Sequence, residues 1–137
     1  MTNQCGISKG LYTKKDFEKF NNQLIEELRK KWIIIENTYC CPHLREHGCD
    51  CAKPNPKFAM DAKKEFNLDL GKSFMVGDHP HDVEFGKNAG CKTIYLMTGH
   101  GEKHFKELKI KPDFVAHSLL EAAKWILDIS AGYNLPI

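Results

Sequence analysis

The chain is 137 residues long, 42% apolar and 28% charged, with a formal net charge of +2. That is enough apolar material for one compact domain, and too little charge, with lysines scattered among acids, for a nucleic-acid surface. No apolar run reaches the length of a membrane span, and Met1-Thr-Asn-Gln is polar where a secretory leader would be apolar, so a cytoplasmic protein is expected.

The elements alternate in type along the chain. Thr13 with Asp16 three residues later reads as a capping box, and Phe17, Phe20, Leu24, Ile25 and Leu28 follow at helical spacing as a core stripe. Trp32-Ile33-Ile34-Ile35 is a β-branched run that predicts a buried strand. Pro56 suits the first turn of a second helix, with Phe58, Ala59, Ala62 and Phe66 inward. Ser73–Val76 predicts a buried strand ending in Gly77-Asp78. Asp82–Ala89 predicts a short helix stopped by Gly90, and Lys92–Met97 another strand. Phe114-Val115 is a last brief strand, and Ser118 with Glu121 caps a final helix carrying Leu119, Leu120, Ala123, Ile126 and Leu127. Strands separated by helices imply parallel pairing in an α/β layered fold, whose chemistry collects beyond the carboxyl ends of the strands. Thr2-Asn3-Gln4, Lys53, and Gly77-Asp78 with Asp82 can all lie in such loops. Residues 1–131 are read as one domain and 132–137 as a detachable tail.

Cys41-Pro-His43 followed by Cys49-Asp-Cys51, running directly into Lys53-Pro54, is the densest chemical signal. Three thiols and one imidazole are the ligand set of a closed tetrahedral zinc site. Residues two apart on extended chain point the same way, so each pair can act as a two-pronged clamp. Leu44 to Gly48 is long enough to turn one clamp onto the other, and the loop 40–53 is read as a structural zinc loop. Cys40 or His47 could replace one ligand, but neither completes two equally symmetrical clamps. Six cysteines would also permit disulfides in an oxidising compartment; the absence of a leader favours metal. Cys91 lies apart and reads as a small apolar core residue.

Taken in order, Thr2-Asn-Gln-Cys-Gly-Ile-Ser-Lys-Gly10, Cys41-Pro-His, Cys49-Asp-Cys-Ala-Lys-Pro54, Met75-Val-Gly-Asp-His-Pro-His-Asp82 and Thr98-Gly-His-Gly101 form a recognisable series. The sequence resembles the haloacid dehalogenase (HAD) superfamily of phosphatases over nearly its whole length, to about Ile129. Its nearest likeness is to the zinc-loop branch that acts on heptose 1,7-bisphosphate or histidinol phosphate. The resemblance implies a Rossmann-type, three-layer parallel α/β fold, a zinc loop, magnesium, and a small phosphorylated sugar or related phosphomonoester as substrate.

Residue by residue, the resemblance implies that the Thr2 hydroxyl bonds the transferring phosphoryl group, with Asn3, Gln4 and Cys5 lining the same pocket. Lys53 would neutralise phosphoryl oxygens, a preorganised electrostatic role. Asp78 would hold magnesium, a hard cation that wants oxygen ligands. Asp82 would support from the outer shell, a role compatible with a helix-N-terminal acid.

Family phosphatases carry an Asp-x-Asp pair, nucleophile and general acid/base, on their first strand. No Asp-x-Asp occurs in these 137 residues, and Thr2 already matches the second family motif. The expectation is therefore a chain incomplete at its N-terminus and inactive alone. It would self-associate, be completed by another chain bearing the two aspartates, or serve as a non-catalytic zinc-bearing interaction protein. Cys5 stands where the heptose branch often has serine, and Ala52 where it commonly has arginine, a planar donor fork that alanine cannot replace.

Overall fold

Apolar residues at alternate positions of three short runs build a parallel sheet covered on both faces. The computed structural model describes residues 1–133. The chain divides into two compact units, Met1–Ala52 and Lys53–Ile137.

In the second unit, β3 (Phe74–Gly77), β4 (Lys92–Leu96) and β5 (Phe114–Ala116) pair in parallel in the order β3-β4-β5. The register sets Val76 against Ile94 and Tyr95 against Val115. On one face, Met75 and Cys91 pack with Ala59, Leu70, Phe85 and Ala89, which brings α2 (Lys57–Phe66) and α3 (Pro80–Ala89) onto the sheet. On the other, Phe74, Val76, Ile94 and Leu96 pack against Ala122, Trp125 and Ile126 of α5 (Leu119–Tyr133). Trp125 stacks on Phe114 at 5.0 Å and meets Phe74 edge-on at 6.0 Å. Helix, sheet, helix is the three-layer parallel arrangement that the sequence led us to expect. The strands begin and end within a residue or so of the expected limits. Gly90 ends α3 in the left-handed region, at φ 81°.

In the first unit, β1 (Thr2–Asn3) pairs in parallel with β2 (Cys40–Cys41), Thr2 opposite Cys40. Between them runs α1 (Lys14–Arg29), capped as expected by Thr13 and Asp16.

Several expectations fail, among them the inward placing of Phe66 in α2, which is exposed. The run Trp32–Ile35 is exposed and forms no strand; Trp32 is 93% exposed. Trp32 takes φ 62°, its N–H bonds Arg29 O, and Ile33 N–H reaches back to Leu28 O. The first residues of the run are thus consumed in closing α1 by a Schellman-type turn. The α1 stripe is not core: the helix buries no residue, and Phe20 is 66% exposed. In α5 the inward residues are Ala122, Trp125 and Ile126, while Leu119, Leu120 and Leu127 face outward. Periodicity gives a face, and the covering surface decides which part of it is buried. Of the expected tail, 132–137, α5 includes residues up to Tyr133, and the remainder lies outside the described residues. Among the described residues no helix is long and apolar enough to cross a membrane.

Asp113, just before β5, ties three elements together. Its Oδ2 accepts from Thr93 N (2.6 Å), Thr93 Oγ1 (2.9 Å) and Lys87 Nζ (2.8 Å). Thr93 is fully buried, so its hydroxyl needs such a partner. Burial raises the Asp113 carboxyl, but the bonds from Lys87 and Thr93 outweigh it and hold the group below its usual range. A carboxyl lowered in the folded state contributes stability that is complete above its unfolded pKa and is lost as pH falls through the folded value. Asp113→Asn is expected to cost about 1–2 kcal/mol at pH 7, allowing for solvent screening of a partly exposed group, and to shrink the loss of stability below about pH 4. Urea unfolding at pH 7 and pH 3 measures both.

Candidate active site and metal centre

Pairing of β1 with β2 brings the N-terminal motif alongside the first cysteine of the cluster. Thr2 N–H bonds Tyr39 O at 2.8 Å, Gln4 N–H bonds Cys41 O at 2.7 Å, and Ser8 Oγ donates to Pro42 O at 2.7 Å. The ligand atoms of Cys41, His43, Cys49 and Cys51 all lie within 4.8 Å of one another. Cys41 Sγ is 3.6 Å from Cys49 Sγ and 3.1 Å from Cys51 Sγ, and His43 Nδ1 is 3.7 Å from Cys41 Sγ and 3.3 Å from Cys51 Sγ. Zinc bonds of about 2.3 Å to sulfur and 2.0–2.1 Å to nitrogen at tetrahedral angles put ligand atoms about 3.5–3.8 Å apart. The quartet therefore fits that ion in donor type and spacing, and the loop closes through Gly48 at φ 61°.

The thiols show what a cation would relieve. Burial pushes Cys51 up to about 12, helped by its bonds to Cys41 and Cys49. At Cys49 burial also acts upward, but bonds from Cys41 and the Ala52 backbone prevail and bring it down to about 7. Cys41 is raised, chiefly by burial. One thiolate forms readily; three together need positive charge among them. Cys40 is raised by burial and is not part of the four-atom cluster, and neither is His47.

In the second unit three of the motif residues converge at the carboxyl end of β3. Asp78 follows the strand and Asp82 sits in the first turn of α3. Asp82 Oδ2 accepts the His79 N–H at 3.1 Å, and His79 Nδ1 accepts the His81 N–H at 3.2 Å, so the motif Asp78-His-Pro-His-Asp82 caps its own helix. Asp82 Oδ1 takes Lys53 Nζ at 2.5 Å, with both side chains largely buried. The segment after Lys53 is held on α3 by Asn88, whose amide donates to Pro54 O at 3.1 Å.

Asp78 points instead to the turn after β4. Its Oδ2 accepts the His100 N–H at 2.8 Å, and it lies 3.7 Å from His100 Nδ1. Gly99 is left-handed there, at φ 61°, and a side chain on it would meet the Asp78 carboxylate. Tyr95, fully buried, donates to Gly101 O at 2.8 Å and fixes the far side of the turn. Burial raises its phenol, and the negative charges of Asp78, Glu107 and Asp82 raise it further.

Among the remaining sequence candidates, Thr2 and Gln4 are half-buried, while Asn3 and Cys5 are exposed. Thr2, Asn3, Gln4 and Cys5 belong to the first unit, and Lys53, Asp78 and Asp82 to the second. Sequence reasoning missed Tyr12, whose hydroxyl bonds Gln4 Oε1, and the His100 backbone on Asp78. The Thr98–Gly101 motif was the available signal for the latter; none pointed to Tyr12.

A parallel α/β sheet with acidic and lysine side chains at its carboxyl edge is a Rossmann-type arrangement, in which ligands bind beyond the carboxyl ends of the strands. The family model described as HAD-hydrolase-like matches residues 50–122, over half of the chain. The D-glycero-alpha-D-manno-heptose-1,7-bisphosphate 7-phosphatase of Campylobacter jejuni is 39% identical over 113 residues, covering 79% of this chain and 64% of the relative. The D-glycero-D-manno-heptose-1,7-bisphosphate 7-phosphatase of Chlorobaculum tepidum is 36% identical, covering 89% and 68%. A crystal structure of D,D-heptose 1,7-bisphosphate phosphatase from B. bronchiseptica, complexed with magnesium and phosphate, superposes with a TM-score of 0.86 at 26% identity, covering 93% of this chain and 72% of that one. The chain belongs to the HAD-hydrolase-like family, and its relatives are heptose-bisphosphate phosphatases. It spans somewhat under two thirds of the length of the Campylobacter relative, and 57% of a Helicobacter pylori one that is 41% identical.

Purified without added metal, the protein is expected to carry one zinc per chain by elemental analysis. Cys49→Ser with Cys51→Ser should release it, whereas Cys40→Ser should not.

Proposed function

We propose that this chain supplies the zinc-braced, phosphate-binding part of a magnesium-dependent sugar-phosphate phosphatase, of the kind that removes the 7-phosphate of D-glycero-D-manno-heptose 1,7-bisphosphate. The observation that carries the reading is the convergence of Lys53, Asp78 and Asp82 on the carboxyl end of β3. Magnesium, held at Asp78, would neutralise charge on the phosphoryl group. Lys53 offers its ammonium to phosphoryl oxygens while Asp82 holds and orients it. Thr2 donates its hydroxyl, Asn3, Gln4 and Cys5 line the substrate pocket, and zinc on Cys41, His43, Cys49 and Cys51 is structural. We read 1–131 as belonging to one catalytic domain.

Covalent phosphoryl transfer in this family needs a nucleophilic aspartate beside a second carboxylate, and the 137 residues contain no such pair. The chain by itself is therefore proposed to bind phosphate and magnesium without turning over phosphomonoesters, and to reach activity only with a segment or chain that brings an Asp-x-Asp strand. The alternative substrate is a histidinol-phosphate-type or other small phosphomonoester; Ala52, where the heptose branch commonly has arginine, weakens the case for heptose bisphosphate.

The Lys53–Asp82 pair makes the lysine structural as well. Removing one partner of a buried pair strands the other charge, so Lys53→Ala is expected to cost about 3–5 kcal/mol of stability along with phosphate affinity. Asp78→Asn, whose side chain is more exposed, should lose the magnesium dependence of phosphate binding with little change in unfolding free energy. Calorimetric titration with inorganic phosphate, with and without magnesium, separates the two. Magnesium-dependent hydrolysis of heptose 1,7-bisphosphate by the chain alone would contradict the assignment of the nucleophile elsewhere.

A further inference from the structure

Gln4 is more than a lining residue. Its Nε2 donates to Thr2 Oγ1 at 2.9 Å, and its Oε1 accepts from the Tyr12 hydroxyl. We infer that Tyr12 and Gln4 are positioning residues, forming a two-bond relay that turns the Thr2 hydroxyl outward as a donor to a phosphoryl oxygen. The inference rests on the phosphoryl role proposed for Thr2.

The relay works because an amide is polar in one sense only: its oxygen accepts and its nitrogen donates. With the oxygen on Tyr12 and the nitrogen on Thr2, the threonine oxygen receives a hydrogen bond. Its single proton then remains for another acceptor. The reversed amide would take that proton for its own oxygen and leave nothing for an anion. Tyr12 favours the productive sense, since a phenol is a stronger donor and poorer acceptor than an aliphatic hydroxyl.

The relay is also rigidly mounted. Backbone bonds to Tyr39 O and Cys41 O fix Thr2 and Gln4. The loop from Gln4 to Leu11 is closed by Ile7 N–H to Gln4 O (3.0 Å), Lys9 N–H to Cys5 O (3.1 Å) and Leu11 N–H to Gly6 O (3.0 Å). Tyr12 lies directly on buried Gly6: a methyl group there would sit 2.7 Å from Tyr12 Cζ and 2.8 Å from its hydroxyl. A donor held this way loses little freedom when an anion arrives, the condition for preorganised electrostatic stabilisation.

The test is a double-mutant cycle on the affinity of the whole chain for inorganic phosphate in the presence of magnesium, with folding checked by circular dichroism. Tyr12→Phe removes the donor and keeps the ring. It is expected to weaken phosphate binding about five- to tenfold in the Thr2 chain and to have no effect in a Thr2→Val chain. A merely structural role for Tyr12 would lower affinity equally in both backgrounds, and that result, or a Tyr12→Phe chain that binds like the parent, overturns the relay while leaving the phosphoryl site intact. A parent chain that binds no phosphate removes the proposed role of Thr2, and the relay with it.

Discussion

Asp82 is a carboxylate held almost out of water at the start of a helix, and much of the second unit follows from what must meet it. A buried charge without partners costs several kcal/mol, so the chain supplies an ammonium from Lys53 and an N–H from His79. Those two bonds fix where α3 begins, and hence the strand–turn–helix that presents Asp78. They also bring a lysine from twenty-nine residues earlier to the carboxyl edge of the sheet.

The two kinds of metal chemistry suggested by the chain are kept apart by ligand type. The cysteines and imidazole in the first unit form a four-donor set of the soft, closed type. The second unit sets the carboxylates of Asp78 and Asp82 at the carboxyl end of β3, oxygen donors of the kind a hard cation takes. The Cys/His set lies in the loop that β2 opens, and the carboxylates lie where phosphate chemistry is proposed.

Much of this was readable in the sequence, for identifiable reasons. The Cys/His quartet and the Gly77-Asp78 to Asp82 motif depend on short-range spacing, and each closes locally in the structure. Strands at 74–77, 92–96 and 114–116 were legible because their apolar runs are bounded by turns and caps. The stripe of α1 and the outer leucines of α5 were misjudged because burial belongs to a pair of surfaces, and a helical period specifies one. Ile33 was misjudged because its N–H was already committed to capping α1. Tyr12 was invisible because its role arises from a loop folding back through Gly6, a three-dimensional closure with no periodic signature.

The central claim is that the carboxyl edge of β3 and β4 is the cation and phosphate site. Manganese, a paramagnetic stand-in for magnesium, tests it directly through amide line broadening in the presence of inorganic phosphate. Broadening is predicted to centre on Gly77, Asp78 and the Thr98–Gly101 turn and to vanish in Asp78→Asn. Broadening centred on surface acids such as Glu26 and Glu27, and unchanged by that substitution, would contradict it.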